Sequence, residues 1–410
     1  MISLAAARSL IAAAVRPLAA ERVPLAAAHG RVLRADVAAD ADLPAFDRSA
    51  MDGYALGADD DSARLRVVAE IQPGAAPAVE IRRGECARIF TGAPIPAGAG
   101  RVLMQEDCTR DGEWMTPQRR DARTWIRRRG EDARGGAVLL RAGVRLGAGE
   151  VSLLAQLGVV QPVVSPAVRV RHFTTGNELV DPSTTPGPGQ IRDSNSALIA
   201  ALVAENGARL VGQARCGDAL EALTTAIETA GADWDALLLS GGASVGDYDF
   251  GARALERLGF TLHFRQIQLR PGKPLIFATR GPQVAFVIPG NPVSHFVTFH
   301  VAIRLALECL ESAPPSWPLA HVELAEDFPA RPDARETFWP AHVFTRDARL
   351  RVRPLAWQSS GDLRGLIAAN ALLPVAPGSG PVLAGIPVPV LLLARLSGRP
   401  TAFEETTPSC

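Results

Sequence analysis

Lysine is almost missing from this 410-residue chain, so Lys273 stands out against an Ala- and Arg-rich background. An excess of either charge is missing too. The 43 Lys+Arg and 43 Asp+Glu cancel to a formal net charge of zero, which excludes a nucleic-acid binder that relies on bulk electrostatics. No cysteine lies in a CxxC pair. The five, Cys86, Cys108, Cys216, Cys309 and Cys410, are odd in number, which speaks against a disulfide framework or zinc cluster and fits a reducing compartment. The seven histidines are scattered, and His295 and His300, five apart, read as ordinary helix residues rather than a ligand pair. No window approaches the roughly 20 apolar residues of a membrane span. The apolar N-terminus lacks a basic n-region and is interrupted by Arg8 and Arg16. Leu4, Leu10, Ile11, Val15 and Leu18 suit an amphipathic helix instead. A cytoplasmic, soluble protein with no nucleic-acid partner and no membrane is expected.

What is present is ample core material, 47% apolar residues, and a length that predicts roughly two to four domains. The organising stretch is Leu237–Phe250, LLLSGGASVGDYDF. A buried strand ending at Leu239 runs into Ser240-Gly241-Gly242, then Ser244 and Gly246, and a helix pattern begins near Asp249. Strand, glycine turn and helix start make an anion cradle, because free N–H groups at a helix start face an oxyanion. The acids Asp247 and Asp249 beside it suit a phosphate held with a divalent cation. The same stretch also reads as a tight strand-to-helix connection with solvated acids.

Upstream, Asp47–Tyr54 is a dense polar loop that reads equally as a turn centred on Asp52-Gly53. Short β segments at Arg64–Ile71, Glu85–Phe90, Arg101–Gln105 and Trp114–Thr116 predict a small barrel or sandwich. Thr91-Gly92 ends one of them, which puts a hydroxyl and backbone amides at a mouth. The run Arg127-Arg128-Arg129 before Glu131-Asp132 is either a solvated turn or a set of guanidinium groups offered to an oxyanion. From Val168 strands alternate with helices, which predicts a parallel sheet with ligands at the carboxyl ends of its strands. Glu178, Asp218 and Asp249 would meet there. Strands at Leu262–Leu269, Leu275–Ala278 and Val284–Ile288 put Arg270-Pro271-Gly272-Lys273-Pro274 and Pro289–Ser294 on that face. Lys273 is a surface lysine or a phosphate contact. After the linker Ala313–Pro318 comes a Val/Leu/Pro-rich β domain with one polar stretch, Gln358–Leu363.

DRSAMDGYA, IFTGAPIP, RRRGED, TTGNEL, SGGASVGDYD, RPGKP and PGNPVS occur in this order. Together they resemble the molybdopterin molybdenumtransferase family, of which the gephyrin E domain is the animal relative. The resemblance covers nearly the whole chain, densely through Ser294 and thinly after Pro314. The fold class it implies is multidomain α/β plus β: an elongated first domain in two segments (1–40 and 130–166), an inserted small β domain (41–129), an α/β pterin-binding domain with a parallel sheet (167–313) and a C-terminal β-barrel (314–400). The implied reaction takes adenylylated molybdopterin and molybdate, uses Mg²⁺, and yields molybdenum cofactor and AMP. A homodimer is implied, with the site formed where one subunit's third domain faces the other's first two. A molybdopterin adenylyltransferase, molybdoenzymes and cofactor-maturation proteins are the implied partners.

Residue by residue, the resemblance assigns Asp52, Thr91 and Asp132 to the catalytic wall of the first two domains. It assigns Glu178, Asp218 and Asp249 to the third domain, with Glu178 and Asp249 as metal ligands. Ser240, Gly241, Gly242, Ser244, Gly246, Arg270, Lys273, Pro289, Asn291 and Pro292 join Asp218 around substrate, with Ser359 and Ser360 from the fourth domain. Departures from the family pattern are Asn177 for Asp, Arg48 for Asn, Asp247 for Glu, and Gln266 and Arg270 where lysines are frequent. Two rivals share features: a molybdopterin adenylyltransferase, which has the α/β domain but usually reads TTGGTG at the central loop, and a non-catalytic pterin-binding or scaffold protein. The retained Asp52, Asp132, Glu178, Asp218 and Asp249 speak against the scaffold.

Overall fold

The computed structural model describes residues 1–242, 250–330 and 332–393. The chain divides into two compact units: Asp36–Arg141 with Gln156–Gly158, and the rest. In the smaller unit a six-stranded sheet runs in the order 101–104, 53–56, 85–89, 65–71, 114–117, 108–111. Four of these are the segments anticipated from the sequence. Two were not anticipated, Cys108–Asp111 and Gly53–Leu56, the latter with all four residues buried between two neighbours. Asp52-Gly53 is therefore the entry to a strand rather than the centre of a plain turn. Gly53 is there because of close approach: a Cβ on it would sit 1.8 Å from the carbonyl oxygen of Leu103. A β-branched or aromatic run marks a strand; Gly-Tyr-Ala-Leu does not.

The larger unit holds a second six-stranded sheet: β1 (Arg169–Thr175), β2 (Arg209–Cys216), β3 (Ala236–Ser240), β4 (Thr261–Phe264), β5 (Ile276–Arg280) and β6 (Gln283–Ile288), in the order β2-β1-β3-β6-β5-β4. The first four in that order are parallel, while β5 runs antiparallel to both β6 and β4. The hairpin β5–β6, closed by Arg280-Gly281-Pro282, turns a parallel sheet into a mixed one. The strand expected over Leu262–Leu269 is cut short. After Phe264 the chain leaves the sheet, Gln268 donates its N–H to the Ile2 carbonyl, and Leu269–Arg270 instead pairs with Glu336–Thr337.

Helices α1 (Leu4–Ala14), α2 (Ser194–Glu205), α3 (Leu220–Thr229), α4 (Phe250–Arg257) and α5 (Pro292–Leu310) belong to this unit. The pleat of β3 explains the layering. Ala236 and Leu238 enter one core with Leu4, Ile11, Ile199, Leu202 and Val297; Leu237 and Leu239 enter the other with Leu223, Ile227, Ala252 and Leu255. The N-terminal helix is amphipathic as anticipated, with Leu4, Ala7 and Ile11 inward, but Leu10 points to solvent. Against expectation, α5 is long and apolar enough to cross a membrane; 83% of it is buried inside the fold. Its middle, Phe299–Ile303, widens into a π-helix.

Past the linker, strands 336–346, 349–354, 319–324, 387–392 and 371–375 pair in that order and the last returns to the first, closing a barrel. Closure removes the sheet edges. A test of the inserted sheet follows from its tightest contact. Gly53→Ala should destabilise the protein by about 1–3 kcal/mol, the usual cost of overpacking, and lower its melting temperature in a thermal scan; an unchanged melting curve would mean the 1.8 Å approach relaxes freely.

Candidate functional site

In the smaller unit three sequence motifs lace together. Arg48–Ser49 pairs with Ile126–Arg127, Ser49 donates its N–H to the Ala93 carbonyl, and Gly92 donates to the Ser49 carbonyl. This brings Asp52 onto Thr91: the Asp52 carboxylate accepts both the N–H and the hydroxyl of Thr91, each at 2.7 Å. Those hydrogen bonds, the backbone one foremost and then the hydroxyl, hold Asp52 below the usual carboxylate range, with Arg88 adding attraction. Arg88 donates to the Gly53 carbonyl and stacks on Phe90. It was not singled out from the sequence; its signal was a cation on the strand entering the Thr91 turn.

The Arg127–Arg129 run is not a bare cationic patch. Arg127 pairs with Glu131 and Asp132, Arg128 with Asp47 and Arg129 with Asp42. Asp132 is thus anchored by Arg127 and by its own N–H to the Leu43 carbonyl. Of the two readings left open for this run, the structure favours a set of paired turns.

In the larger unit the parallel register sets the candidate face. Thr175 stands level with Cys216, Thr174 with Ser240, and Ser240 with Ile288. Four strands therefore end together, and the loops that follow carry Glu178, Asp218, Gly241-Gly242 and Pro289–Pro292. Because β5 is antiparallel and its first residue, Ile276, pairs with Val287, the Pro271–Pro274 loop preceding it reaches the same edge. Glu178 is exposed. Asp218 is clasped: its carboxylate accepts the Asn177 N–H at 3.0 Å, while the Asn177 side-chain oxygen accepts the Asp218 N–H at 3.2 Å. Gly241 and Gly242 both take positive φ, 88° and 65°. At Gly241 a Cβ would also meet the Thr175 carbonyl oxygen at 2.7 Å, so only glycine fits that turn. Ser244, Gly246 and Asp249 lie outside the described residues.

Several candidates are engaged in ways the sequence did not reveal. The Ser240 hydroxyl is fully buried between the rings of His172 and His295, at 2.7 and 2.6 Å. His295 is accordingly more than an ordinary helix residue. Arg270 pairs with Asp333 at 3.0 Å and lies over the Trp357 ring, so its charge is spent on the barrel. Lys273 has no ion-pair partner among the described residues. Asn291 donates its side-chain N–H to the Ser360 hydroxyl at 2.8 Å, and Val293 donates its N–H to the Ser360 carbonyl at 3.0 Å. Pro289 is buried and Pro292 opens α5 as its first residue.

The whole chain has relatives built on the same plan. Residues 2–158 match the MoeA N-terminal region (domain I and II), residues 171–308 a probable molybdopterin binding domain, and residues 321–393 the MoeA C-terminal region (domain IV). Relatives described as molybdopterin molybdenumtransferase include those of Nostoc sp., 35% identical and covering 91% of this chain and 88% of the relative, and of Synechococcus elongatus, 36% identical with 95% and 99% covered. The chain belongs to the molybdopterin molybdenumtransferase family. A crystal structure of the molybdopterin biosynthesis MoeA protein from Pyrococcus horikoshii OT3 superposes with a TM-score of 0.80 at 28% identity, covering 96% of this chain and all of that one. The family's multidomain α/β plus β architecture, including the closed C-terminal barrel, is the one described above.

The resemblance carried by the sequence motifs implies a divalent cation. Among the described residues no group of three His, Cys, Asp or Glu side chains stands ready to enclose one. That is compatible with Mg²⁺, which commonly takes one or two carboxylates together with water and substrate phosphate. The exposed carboxylate of Glu178 fits such a role, and Asp218 keeps one oxygen outside its bond to Asn177.

The Thr91 contacts make a pH prediction. Depression of the Asp52 pKa means that its ionised form gains from folding at pH above its unfolded value near 4, and that gain is lost as pH falls through the lower folded value. Thr91→Val removes the hydroxyl bond and should raise the Asp52 pKa, read directly by a carboxyl NMR titration. An unmoved titration would show that the hydroxyl contributes nothing.

Proposed function

We propose that this protein carries out the molybdenum-insertion step of molybdenum cofactor biosynthesis, joining molybdate to the dithiolene of adenylylated molybdopterin and releasing AMP by cleavage of the phosphoanhydride. The observation that carries this reading is the common strand-end row, which collects Glu178, Asp218, the Gly241-Gly242 turn, Lys273 and Asn291 on one face of an α/β domain. Relatives over nearly the whole chain are named for this transfer.

The residues divide the work as follows. Backbone amides of the glycine turn hold phosphate. Lys273, free of carboxylate partners among the described residues, supplies a point charge to the nucleotide or the oxyanion. Asp52 and Thr91 form a fixed anionic and hydroxyl pair, and Asp132 a second carboxylate held by Arg127. Glu178 and Asp249 are the proposed Mg²⁺ ligands; the ion, when bound, would draw charge from the phosphoryl oxygens. Little covalent chemistry falls to the protein, so positioning and electrostatics dominate. We retain the four-domain division 1–40 with 130–166, 41–129, 167–313 and 314–400; the breaks between matched family regions near 158–171 and 308–321 support its last two boundaries. The reading includes a homodimer, a molybdopterin adenylyltransferase as the source of substrate, molybdoenzymes or cofactor-maturation proteins as recipients, and a cytoplasmic setting. Free thiols at Cys86, Cys108, Cys216 and Cys309 agree with a reducing compartment.

Purified protein given adenylylated molybdopterin should release AMP when molybdate is added, and light scattering should give twice the chain mass; no AMP above the molybdate-free control would end this reading. Lys273→Ala should weaken nucleotide or oxyanion binding by about 1–3 kcal/mol, the range for a charge-assisted contact. Its melting curve should hold, since no ionic partner among the described residues is left unpaired. Asp132→Ala should instead lower turnover more than affinity. Normal binding and turnover in Lys273→Ala would move the oxyanion away from the Pro271–Pro274 loop.

A further inference from the structure

Beneath the candidate face, two histidines, three hydroxyls and two side-chain amides make a closed hydrogen-bond pattern. His172 on β1 and His295 on α5 are both fully buried, and the Ser240 hydroxyl lies between their Nε2 atoms. The direction of every bond can be worked out from groups with only one role. The Gln213 side-chain nitrogen lies 3.0 Å from the Ser196 carbonyl, which can only accept, so that atom is the NH₂ group. Its other hydrogen therefore goes to His172 Nδ1, at 2.7 Å. With Nδ1 accepting, the His172 proton sits on Nε2 and is donated to Ser240.

A second path reaches the same tautomer. The Ser196 hydroxyl donates to the Asp193 carboxylate at 2.6 Å. Thr174 must then donate to Ser196, at 3.0 Å, which leaves its oxygen a lone pair facing His172 Nε2 at 3.4 Å. Having received from His172, the Ser240 hydroxyl gives its own proton to His295 Nε2. His295 Nδ1–H in turn donates to the Asn291 carbonyl at 3.0 Å. Burial pushes His172 down to about 3 and His295 to about 4, so both rings are neutral as this order requires.

Asn291 is where the chain of bonds ends and the candidate site begins. It is the N-cap of α5, yet its side chain makes no capping bond, the usual task of asparagine there. His295, one turn into the helix, holds its carbonyl, and the side chain is turned to Ser360. Ser240, meanwhile, is the residue before the Gly241-Gly242 turn. We propose that His172, Ser240 and His295 are positioning residues for the ligand face: a one-way hydrogen-bond chain that fixes Asn291, and through it the Ser360 contact, relative to the glycine turn. The inference deepens the functional reading above and rests on it for what the face binds.

The test uses the full-length protein labelled with ¹⁵N-histidine. Long-range ¹H–¹⁵N spectra at neutral pH should show opposite tautomers, Nε2–H for His172 and Nδ1–H for His295, assigned with His172→Gln and His295→Gln. Two like tautomers, or an imidazolium at either site, overturns the proposal. In protein labelled with ¹⁵N-asparagine, Ser240→Ala should then shift the Asn291 side-chain amide resonance; if that variant does not fold, His295→Phe interrupts the same chain and is read in the same resonance. An Asn291 signal blind to a folded variant also overturns it. Neither readout needs substrate, so a chain that passes both yet releases no AMP counts against the functional reading alone. For substrate, Ser240→Ala and Asn291→Ala should each weaken adenylylated molybdopterin binding about 2- to 10-fold, as expected for one lost hydrogen bond. The double variant should be no weaker than the worse single. Losses that multiply, or an equal loss in the distant cavity variant Val284→Ala, would reduce the three residues to a merely structural role.

Discussion

The register of four parallel strands is the constraint on which the candidate face depends. Thr175, Cys216, Ser240 and Ile288 end within a residue of one another. A one-residue slip would reverse every inward and outward side chain on a strand. Leu237 and Leu239 would then trade cores with Ala236 and Leu238, and the Ser240 hydroxyl would lose both histidines. Register is thus held from two sides, by apolar packing along the strands and by a polar pattern at their ends. A buried polar network is safe only when each member is satisfied, and both ring nitrogens of His172 and His295 and the Ser240 hydroxyl between them have partners.

In the smaller unit the corresponding constraint is charge pairing. Arg127, Arg128 and Arg129 would repel one another across a short turn, yet each is matched by an acid: Arg127 by Glu131 and Asp132 of the same turn, Arg128 and Arg129 by Asp47 and Asp42 of a distant segment. Exposed pairs contribute little stability singly. Their value here is geometric, since together with the pairing of Arg48–Ser49 to Ile126–Arg127 they hold two distant segments, 42–49 and 126–132, in one arrangement. Asp47 shows the effect: the Arg129 N–H first, and then Arg128, keep its carboxylate below the usual range.

Much of this was legible in the sequence. The alternation of strands and helices from Val168 onward is carried by periodicity, and the glycine turn by residue type, so both could be read locally. What could not be read depends on register between segments far apart. His172, Ser240 and His295 lie 68 and 55 residues apart in successive contacts, and nothing in their spacing announces a network. Gly53–Leu56 was missed because its strand character comes from being covered by two neighbours rather than from its own residues. The β5–β6 hairpin was hidden for a related reason: two apolar runs joined by Gly281-Pro282 say nothing about which sheet neighbour each finds. The Arg127–Arg129 run and Arg270 looked like free cations because sequence shows charge but not its partner.

That last distinction bears on how the face is electrostatically arranged. Arginine pairs with carboxylates in a planar fork and is well suited to building structure, and in this chain Arg270 does so, joining the strand-end loop to the barrel through Asp333 and Trp357. The Arg270 charge thus serves a structural contact. Three residues later Lys273 remains, without an ionic partner among the described residues. A compact ammonium left unpaired beside a rigid, proline-bracketed loop keeps its attraction for an incoming anion. The positive potential of the Pro271–Pro274 loop therefore resides in Lys273 alone, while its neighbour holds that loop in place.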